Sequence, residues 1–290
     1  MGERLVVGLG EVLFDVLPEG PKLGGAPANF AYHVSQHGLA ARAISAIGDD
    51  TLGRAALKEL DEKGLAYVME RVEYPTGTVD VTLDASGIPA YEIRTDVAWD
   101  HIPFTDAVKR VAKSAAAVCW GSLAQRSDES RSTIRQFLDT VPKDCMRIFD
   151  INLRQQFYTR KVIEESLKRC NVLKINDEEL EIVARMFRWE GSTAAEVCKR
   201  ILTMYDLDMV VLTCGAKGSS VFAAEGVSVL PAPKVDVVDT VGAGDSFTGT
   251  FCAAILKGLS VEKAHRRAVE VSAYVCTQSG AMCEVPSYLK

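Results

Sequence analysis

From about residue 105 onward, the 290-residue chain alternates short apolar runs with amphipathic stretches of helical period. Strand-like runs fall at 116–120, 146–150, 172–175 and 209–213, and helical patterns at 129–138, 161–169, 178–187 and 193–204. Strands separated by helices of this length join through right-handed crossovers, which predicts an α/β fold around a mostly parallel sheet. Before that point, 5–10 and 42–47 read as strands, and 29–37 and 52–63 as helices, the latter stopped by Gly64. Beyond it, 215–230 holds shorter β-like pieces, and helices at 245–257 and 261–277 close the chain. Residues 76–94 follow another rule. Thr78-Val79-Asp80-Val81-Thr82-Leu83-Asp84 alternates polar and apolar, Ala85-Ser86-Gly87 supplies a turn, and Tyr91-Glu92-Ile93-Arg94 resumes the alternation. That pattern predicts a hairpin with one apolar face, and an isolated hairpin is marginal, so the face must cover a core, a ligand or another subunit. With no internal repeat or linker, the expectation is one domain over 1–290 carrying a small β lid from residues near 11–17 and 76–98.

An apolar share of 48% and a charged share of 25% are those of a soluble globular protein. A net charge of −6 disfavours nucleic acid or an anionic membrane as the main partner. No stretch approaches the roughly 18 apolar residues that span a bilayer. Residues 1–10 lack a basic region followed by a long apolar segment, so the expected location is cytoplasmic. Eight cysteines, none spaced as Cys-x-x-Cys, read as reduced structural thiols. His33 and His37 share a helical face without a further ligand group nearby, which reads as a helix-surface pair rather than a metal site.

The chemistry concentrates at 236–258. An apolar run ends at Asp239-Thr240, Gly242 and Gly244 bracket Ala243, and a helical pattern begins with Phe247, Phe251, Ala254 and Ile255. Glycines at such a junction let the chain turn tightly and leave the first helical amides bare, a site for an anion. Asp245 lies inside it. A carboxylate there is either a helix cap or a general base beside a phosphate cradle. Other nucleotide motifs fail: Gly8-Leu9-Gly10 has Leu13 at the third Rossmann position, and no lysine follows a glycine, as a Walker A loop requires.

The string Asp239-Thr240-Val241-Gly242-Ala243-Gly244-Asp245-Ser246-Phe247 resembles the C-terminal signature of the ribokinase-like (PfkB-type) carbohydrate kinases. Gly24-Gly25-Ala26-Pro27-Ala28-Asn29-Phe30-Ala31, followed by Gly38-Leu39 and Gly48-Asp49-Asp50-Thr51-Leu52-Gly53, is similar to the N-terminal signature. The two blocks stand near opposite ends, so the resemblance spans the chain. It implies a ribokinase-like three-layer α/β sandwich, a β-strand lid, and transfer of phosphate from ATP to a sugar hydroxyl with magnesium.

By that resemblance Asp245 is the base, and the amides of Gly242, Ala243 and Gly244 stabilise the transferring group. Asn176-Asp177-Glu178-Glu179 resembles an Asn-x-x-Glu motif in which Asn176 and Glu179 help position magnesium and phosphates. Read on its own, the tetrad is an acidic helix start. Asp15, Gly24, Gly25 and Asn29 are implied sugar contacts, joined by Asn152 and Arg154 of Asp150-Ile151-Asn152-Leu153-Arg154. Thr213 and Gly215 are implied nucleotide contacts. Asp239, Val241, Val275, Gln278 and Gly280 resemble a potassium site beside the cradle. Ribose-specific members carry asparagine where this chain has Leu13. Gly10-Glu11-Val12-Leu13-Phe14-Asp15, Thr76-Gly77-Thr78 and Ala98-Trp99-Asp100 instead resemble the fructokinase branch, which implies fructose as substrate and a homodimer formed through the lid. Alternatives left open are a kinase of 2-keto-3-deoxygluconate, a nucleoside or a sugar phosphate, and a catalytically inactive sugar sensor.

Overall fold

The computed structural model describes residues 4–17, 20–83 and 89–290, with the backbone alone described at 81–83 and 89–91. The N-terminal part runs β1 (Leu5–Leu9), β2 (Leu13–Leu17), β3 (Gly20–Gly24), α1 (Ala26–Gln36), β4 (Ala41–Gly48), α2 (Thr51–Glu62), β5 (Ala66–Val72), β6 (Gly77–Leu83) and β7 (Pro89–Ile93). The middle runs α3 (Asp106–Ser114), β8 (Ala115–Trp120), α4 (Asp128–Thr140), β9 (Met146–Asp150), α5 (Arg160–Leu167), β10 (Val172–Asn176) and α6 (Asp177–Met186). Then come α7 (Ala194–Met204), β11 (Met209–Thr213), β12 (Ser219–Ala223), β13 (Gly226–Leu230), α8 (Ala243–Leu256) and α9 (Val261–Val275).

Nine strands form one sheet in the order β13-β12-β11-β10-β9-β8-β1-β4-β5. From β11 to β5 every pairing is parallel, and β12 and β13 add an antiparallel edge. Successive side chains of a strand point to opposite faces, and the core divides accordingly. Val7, Leu9, Ile44 and Ala46 join the helices α3 to α7 in one apolar cluster. Val6, Ala43 and Ile47 join α1, α2, α8 and α9 in another. The result is three layers, helices on both faces of the sheet. Helices α4 and α5 start one residue earlier than their apolar period, where Ser127 and Thr159 cap their first turns; Thr193 and Ser260 cap α7 and α9 in the same way.

A second sheet has the order β3-β2-β6-β7. Its β2–β6 pairing is parallel and the others antiparallel. Val79 and Ile93 face each other across β6 and β7, and both are buried. The turn at Ala85-Ser86-Gly87 and the side chains of Val81, Leu83 and Tyr91 lie outside the described residues. Strand β3, Gly-Pro-Lys-Leu-Gly, has too little apolar content to read as a strand; β2 pairs along its whole length. Arg126 ties this sheet to the larger body. Its guanidinium lies between the rings of Trp99 (3.9 Å) and Phe157 (4.6 Å), donates twice to Asp100 at 2.8 Å, and reaches the carbonyl of Arg94.

His33 and His37 correct the surface reading. Both are buried against the C-terminal part of the chain: His33 Nε2 donates to the Ala281 carbonyl at 2.8 Å, and His37 Nε2 lies 2.9 Å from Thr250 Oγ1. Burial lowers each imidazole to about 4, so both are neutral parts of the core. All eight cysteines are free thiols, five of them buried. No helix among the described residues is long and apolar enough to cross a membrane.

Candidate active site

In open α/β sheets, ligands bind beyond the carboxyl ends of the strands where strand order reverses. Here that point lies between β1 and β8. Two adjoining cavities of about 630 and 610 Å³ open at this edge, with Thr213, Gly215, Thr240 and Gly244 common to both. The first is walled by apolar groups, among them Val235, Val237, Phe247 and Ala273. The second is polar and gathers Glu11, Asp15, Asn29, Arg154, Lys174 and Asp245.

The first turn of α8 forms part of both walls. Gly242 has φ 78° and a left-handed backbone, and a Cβ there would come within 2.6 Å of Ala281, so only glycine fits. The Ala243 amide donates to the Thr240 carbonyl at 3.2 Å. Among the described residues that leaves Gly242 and Gly244 with amides that have no protein acceptor. Asn29, on α1, donates from Nδ2 to Asp245 Oδ2 at 2.8 Å, while its own Oδ1 is buried without a partner. Burial pushes the Asp245 carboxyl up to about 6 and the Asp150 charge adds to this; Asn29, Lys174 and Arg154 pull the other way.

Across the cavity, Asp15, Val79 and Ile93 form one row of the small sheet, paired through β2, β6 and β7. Burial raises the Asp15 carboxyl against the pull of the Arg154 guanidinium. A Cβ on Gly24 would stand 3.3 Å from Asp15 Oδ2, and one on Gly25 would strike the Glu11 carbonyl at 2.3 Å. Asn152 and Arg154 follow β9 into the same cavity, Asn152 with an unusual φ of 42°. Asn176 and Glu179 form a reciprocal helix cap: Asn176 Oδ1 accepts the Glu179 amide at 2.8 Å and Glu179 Oε2 the Asn176 amide at 2.9 Å. Glu179 Oε1 accepts the Leu153 amide at 2.9 Å. Both carboxylate oxygens are thus engaged by backbone.

Asp239, Val275, Gln278 and Gly280 gather at a neighbouring spot. Asp239 accepts the amides of Val241 (3.0 Å) and Gly280 (3.1 Å), the amides of Val238 and Asp239 donate to Cys276, and the Gln278 amide donates to Val275. The loop before the cradle is therefore laced to the end of α9.

A profile described as pfkB family carbohydrate kinase matches residues 21–287. The chain belongs to that family. It is 28% identical over 270 residues to the ATP-dependent 6-phosphofructokinase of Thermoanaerobacterium thermosaccharolyticum, covering 91% of this chain and 81% of that one. It is 26% identical over 314 residues to fructokinase-1 of Zea mays, covering 99% and 96%. Among solved structures, fructokinase from Xylella fastidiosa with bound ATP superposes with a TM-score of 0.86 at 21% identity, covering 98% and 96%. The fold is that of the ribokinase-like kinases.

Two polar groups in this carbohydrate kinase were not singled out from the sequence. Glu11, 2% exposed, has an unpartnered Oε2, and burial pushes its carboxyl up to about 7. Lys174 stands in β10 with Nζ 3.1 Å from Asp150 Oδ1. The visible signal was a lysine within the otherwise apolar Val172-Leu173-Lys174-Ile175; a buried charge in a central strand needs a partner and a reason.

Proposed function

We propose that this carbohydrate kinase transfers the γ-phosphoryl group of ATP to a hydroxyl of fructose, with Asp245 as general base. The observation that carries the reading is the Asn29–Asp245 hydrogen bond set beside the bare amides of Gly242 and Gly244. Asn29 fixes one carboxylate oxygen, so the other is aimed by a held side chain. The hydroxyl oxygen bonds to the γ-phosphorus, the bond from phosphorus to the bridging oxygen breaks with its electron pair leaving on ADP, and the hydroxyl proton passes to Asp245. The two amides donate to the oxygens on which charge develops.

The apolar cavity suits the adenine and ribose, with Thr213 and Gly215 at the junction where the phosphates cross into the polar one. Asp15, Gly24, Gly25, Asn29, Asn152 and Arg154 surround the space for the sugar. A nucleotide-borne magnesium would supply positive charge against the phosphates here. No cluster of three or more acidic, histidine or cysteine side chains among the described residues is placed to hold an ion. Asn176 and Glu179, both lining the polar cavity, would help position such an ion beside the nucleotide. The Asp239 loop suits a potassium ion that orients the cradle without touching substrate. The small sheet closes over the sugar as a lid, and its outer face, where Val16 is exposed, pairs two subunits.

An ADP-release assay over fructose, ribose, fructose 6-phosphate and 2-keto-3-deoxygluconate tests the substrate. Asp245→Asn tests the base, with an expected loss on the order of 10²–10⁴ in kcat. Near-wild-type turnover of that variant would remove Asp245 from the role.

A further inference from the structure

The geometry points to Lys174 as a further catalytic residue, whose ammonium contacts the phosphoryl group during transfer. This rests on the proposed reading of the site as a phosphoryl-transfer centre. Lys174 lines the polar cavity and is 8% exposed. Its Nζ is 3.1 Å from Asp150 Oδ1, and it lies 3.0 Å from where a Cβ on Gly244 would be. The ammonium therefore sits directly beneath the cradle. Asp150 is held in turn by Thr248 Oγ1 at 2.9 Å, and the same hydroxyl reaches the Gly244 carbonyl at 2.9 Å. Thr248 is one turn further along α8, so lysine, aspartate and cradle form one linked unit.

A purely structural ion pair has no need of this address. Buried pairs gain little over apolar residues of the same size, and the strand around Lys174 is otherwise apolar. Burial opposes the charge, yet Asp150, Glu179 and Asp245 together hold the lysine above its ordinary range, so it stays protonated throughout. The carboxylates of Asp150, Glu179 and Asp245 all act on this ammonium, while the Arg154 guanidinium acts on Asp245 from the same cavity. A phosphoryl group brought there needs a fixed cation close by, and Lys174 supplies it. The absence of a Gly-Lys loop in this chain is consistent with that assignment. Gly244 acquires a second reason for being glycine, since a side chain there would press on the pinned Nζ.

Two variants test it: Lys174→Met combined with Asp150→Asn, which removes both charges, and Lys174→Gln, which keeps a donor toward Asp150. Calorimetry with fructose and with ADP reads ground-state binding, and ADP with aluminium fluoride and fructose reads affinity for a transition-state analogue. The expected result is a loss of about 10²–10³ in kcat, ADP and fructose affinities within about fivefold of wild type, and loss of tight analogue binding. A folded variant whose kcat stays within about fivefold of wild type would overturn the assignment. Loss of the folded state in both variants would also count against it, by making Lys174 a structural partner of Asp150. Asp245→Asn run alongside separates the two readings. An inactive Asp245→Asn with an active Lys174→Gln refutes the lysine alone, and the reverse pattern refutes the base alone.

Discussion

Asn29 and Asp245 are 216 positions apart in the chain, yet the amide of one donates to the carboxylate of the other at 2.8 Å. The bond joins the starts of α1 and α8, the two helices that carry the glycine-rich blocks, and those helices pack along their length. Gly249 permits that packing: a Cβ there would come within 2.8 Å of the Phe30 carbonyl. Asp245, the proposed base, is therefore positioned by helix–helix packing rather than by a loop.

Holding Asp245 in this cavity costs stability. Its carboxyl is pushed up to about 6 by burial, above the ordinary 3.8, so the folded state binds the proton more tightly than the unfolded chain. The contribution is fully present below about pH 4 and is lost as pH rises through about 6. Asp245→Asn should therefore melt higher than wild type at pH 8, by on the order of 1–3 kcal/mol, with the gain vanishing near pH 4. Calorimetry at the two pH values checks it; a variant less stable than wild type at pH 8 contradicts the burial argument.

As the proposed base, the same carboxylate should set the acidic limb of activity. Only the ionised form accepts the hydroxyl proton, so kcat/KM should fall about tenfold per unit below pH 6 and level off above it. Glu11, pushed up to about 7, lies near enough for its titration to couple to that of Asp245. Glu11→Gln should therefore keep a single acidic limb but move it to lower pH, because a neighbouring negative charge is removed. A profile flat from pH 5 to 8 would show that Asp245 does not carry the proton.

Leu13 bears on the choice of sugar. It is 6% exposed, lines the polar cavity, and its Cδ1 is 3.5 Å from where a Cβ on Gly24 would be. An apolar side chain there offers nothing to a hydroxyl that ribose presents to an asparagine. Fructose should show the higher kcat/KM, and Leu13→Asn should narrow the ratio by about tenfold, the scale of one hydrogen bond. A wild-type preference for ribose would refute the branch assignment.

Much of this arrangement was legible in the chain because parallel strands of an α/β fold must be buried and so read as apolar runs. The capped helix starts and the glycine junction at 242–244 are likewise local in origin. What was not legible depended on partners far away in sequence. His33 and His37 look like a polar helical pair until Ala281 and Thr250 cover them. Ala243 reads as a free amide until Thr240 turns back to accept it. Edge strand β5 alternates only weakly because it is half exposed, and β3 is defined by its pairing with β2 alone. Lys174 was overlooked because its meaning comes from Asp150 on a neighbouring strand and Gly244 on a helix.

Asp239 holds the cradle loop by accepting the amides of Val241 and Gly280. Its carboxylate faces a seam with the end of α9, where the chain at Gly280 has φ 78°. A potassium ion at this seam would neutralise the carboxylate and stiffen the turn that presents Gly242 and Gly244. Activity should be several-fold higher in potassium chloride than in tetramethylammonium chloride at equal ionic strength. Asp239→Asn should abolish the difference. Equal wild-type rates in the two salts would remove the ion from the proposal.

The row Asp15, Val79 and Ile93 gives the small sheet a specific task. Val79 and Ile93 are buried on the cavity side, while Val16, beside Asp15 on β2, stands 37% exposed on the other face. A sheet of four short strands is marginal by itself, so its apolar face needs cover, and Val16 leaves a further apolar spot on the other side. In the proposed reading, sugar would supply cover on the inside by bringing the row down on itself, excluding water from the phosphoryl group. In the proposed pairing a second subunit would cover the outside and remove the exposed edge. Fructose at saturation should therefore slow amide exchange across β6 and β7, and sedimentation at micromolar concentration should give a dimer. Val16→Asp should yield a monomer that still binds fructose. Exchange unchanged by fructose would refute the lid, and a wild-type monomer would refute the pairing, each independently of the other.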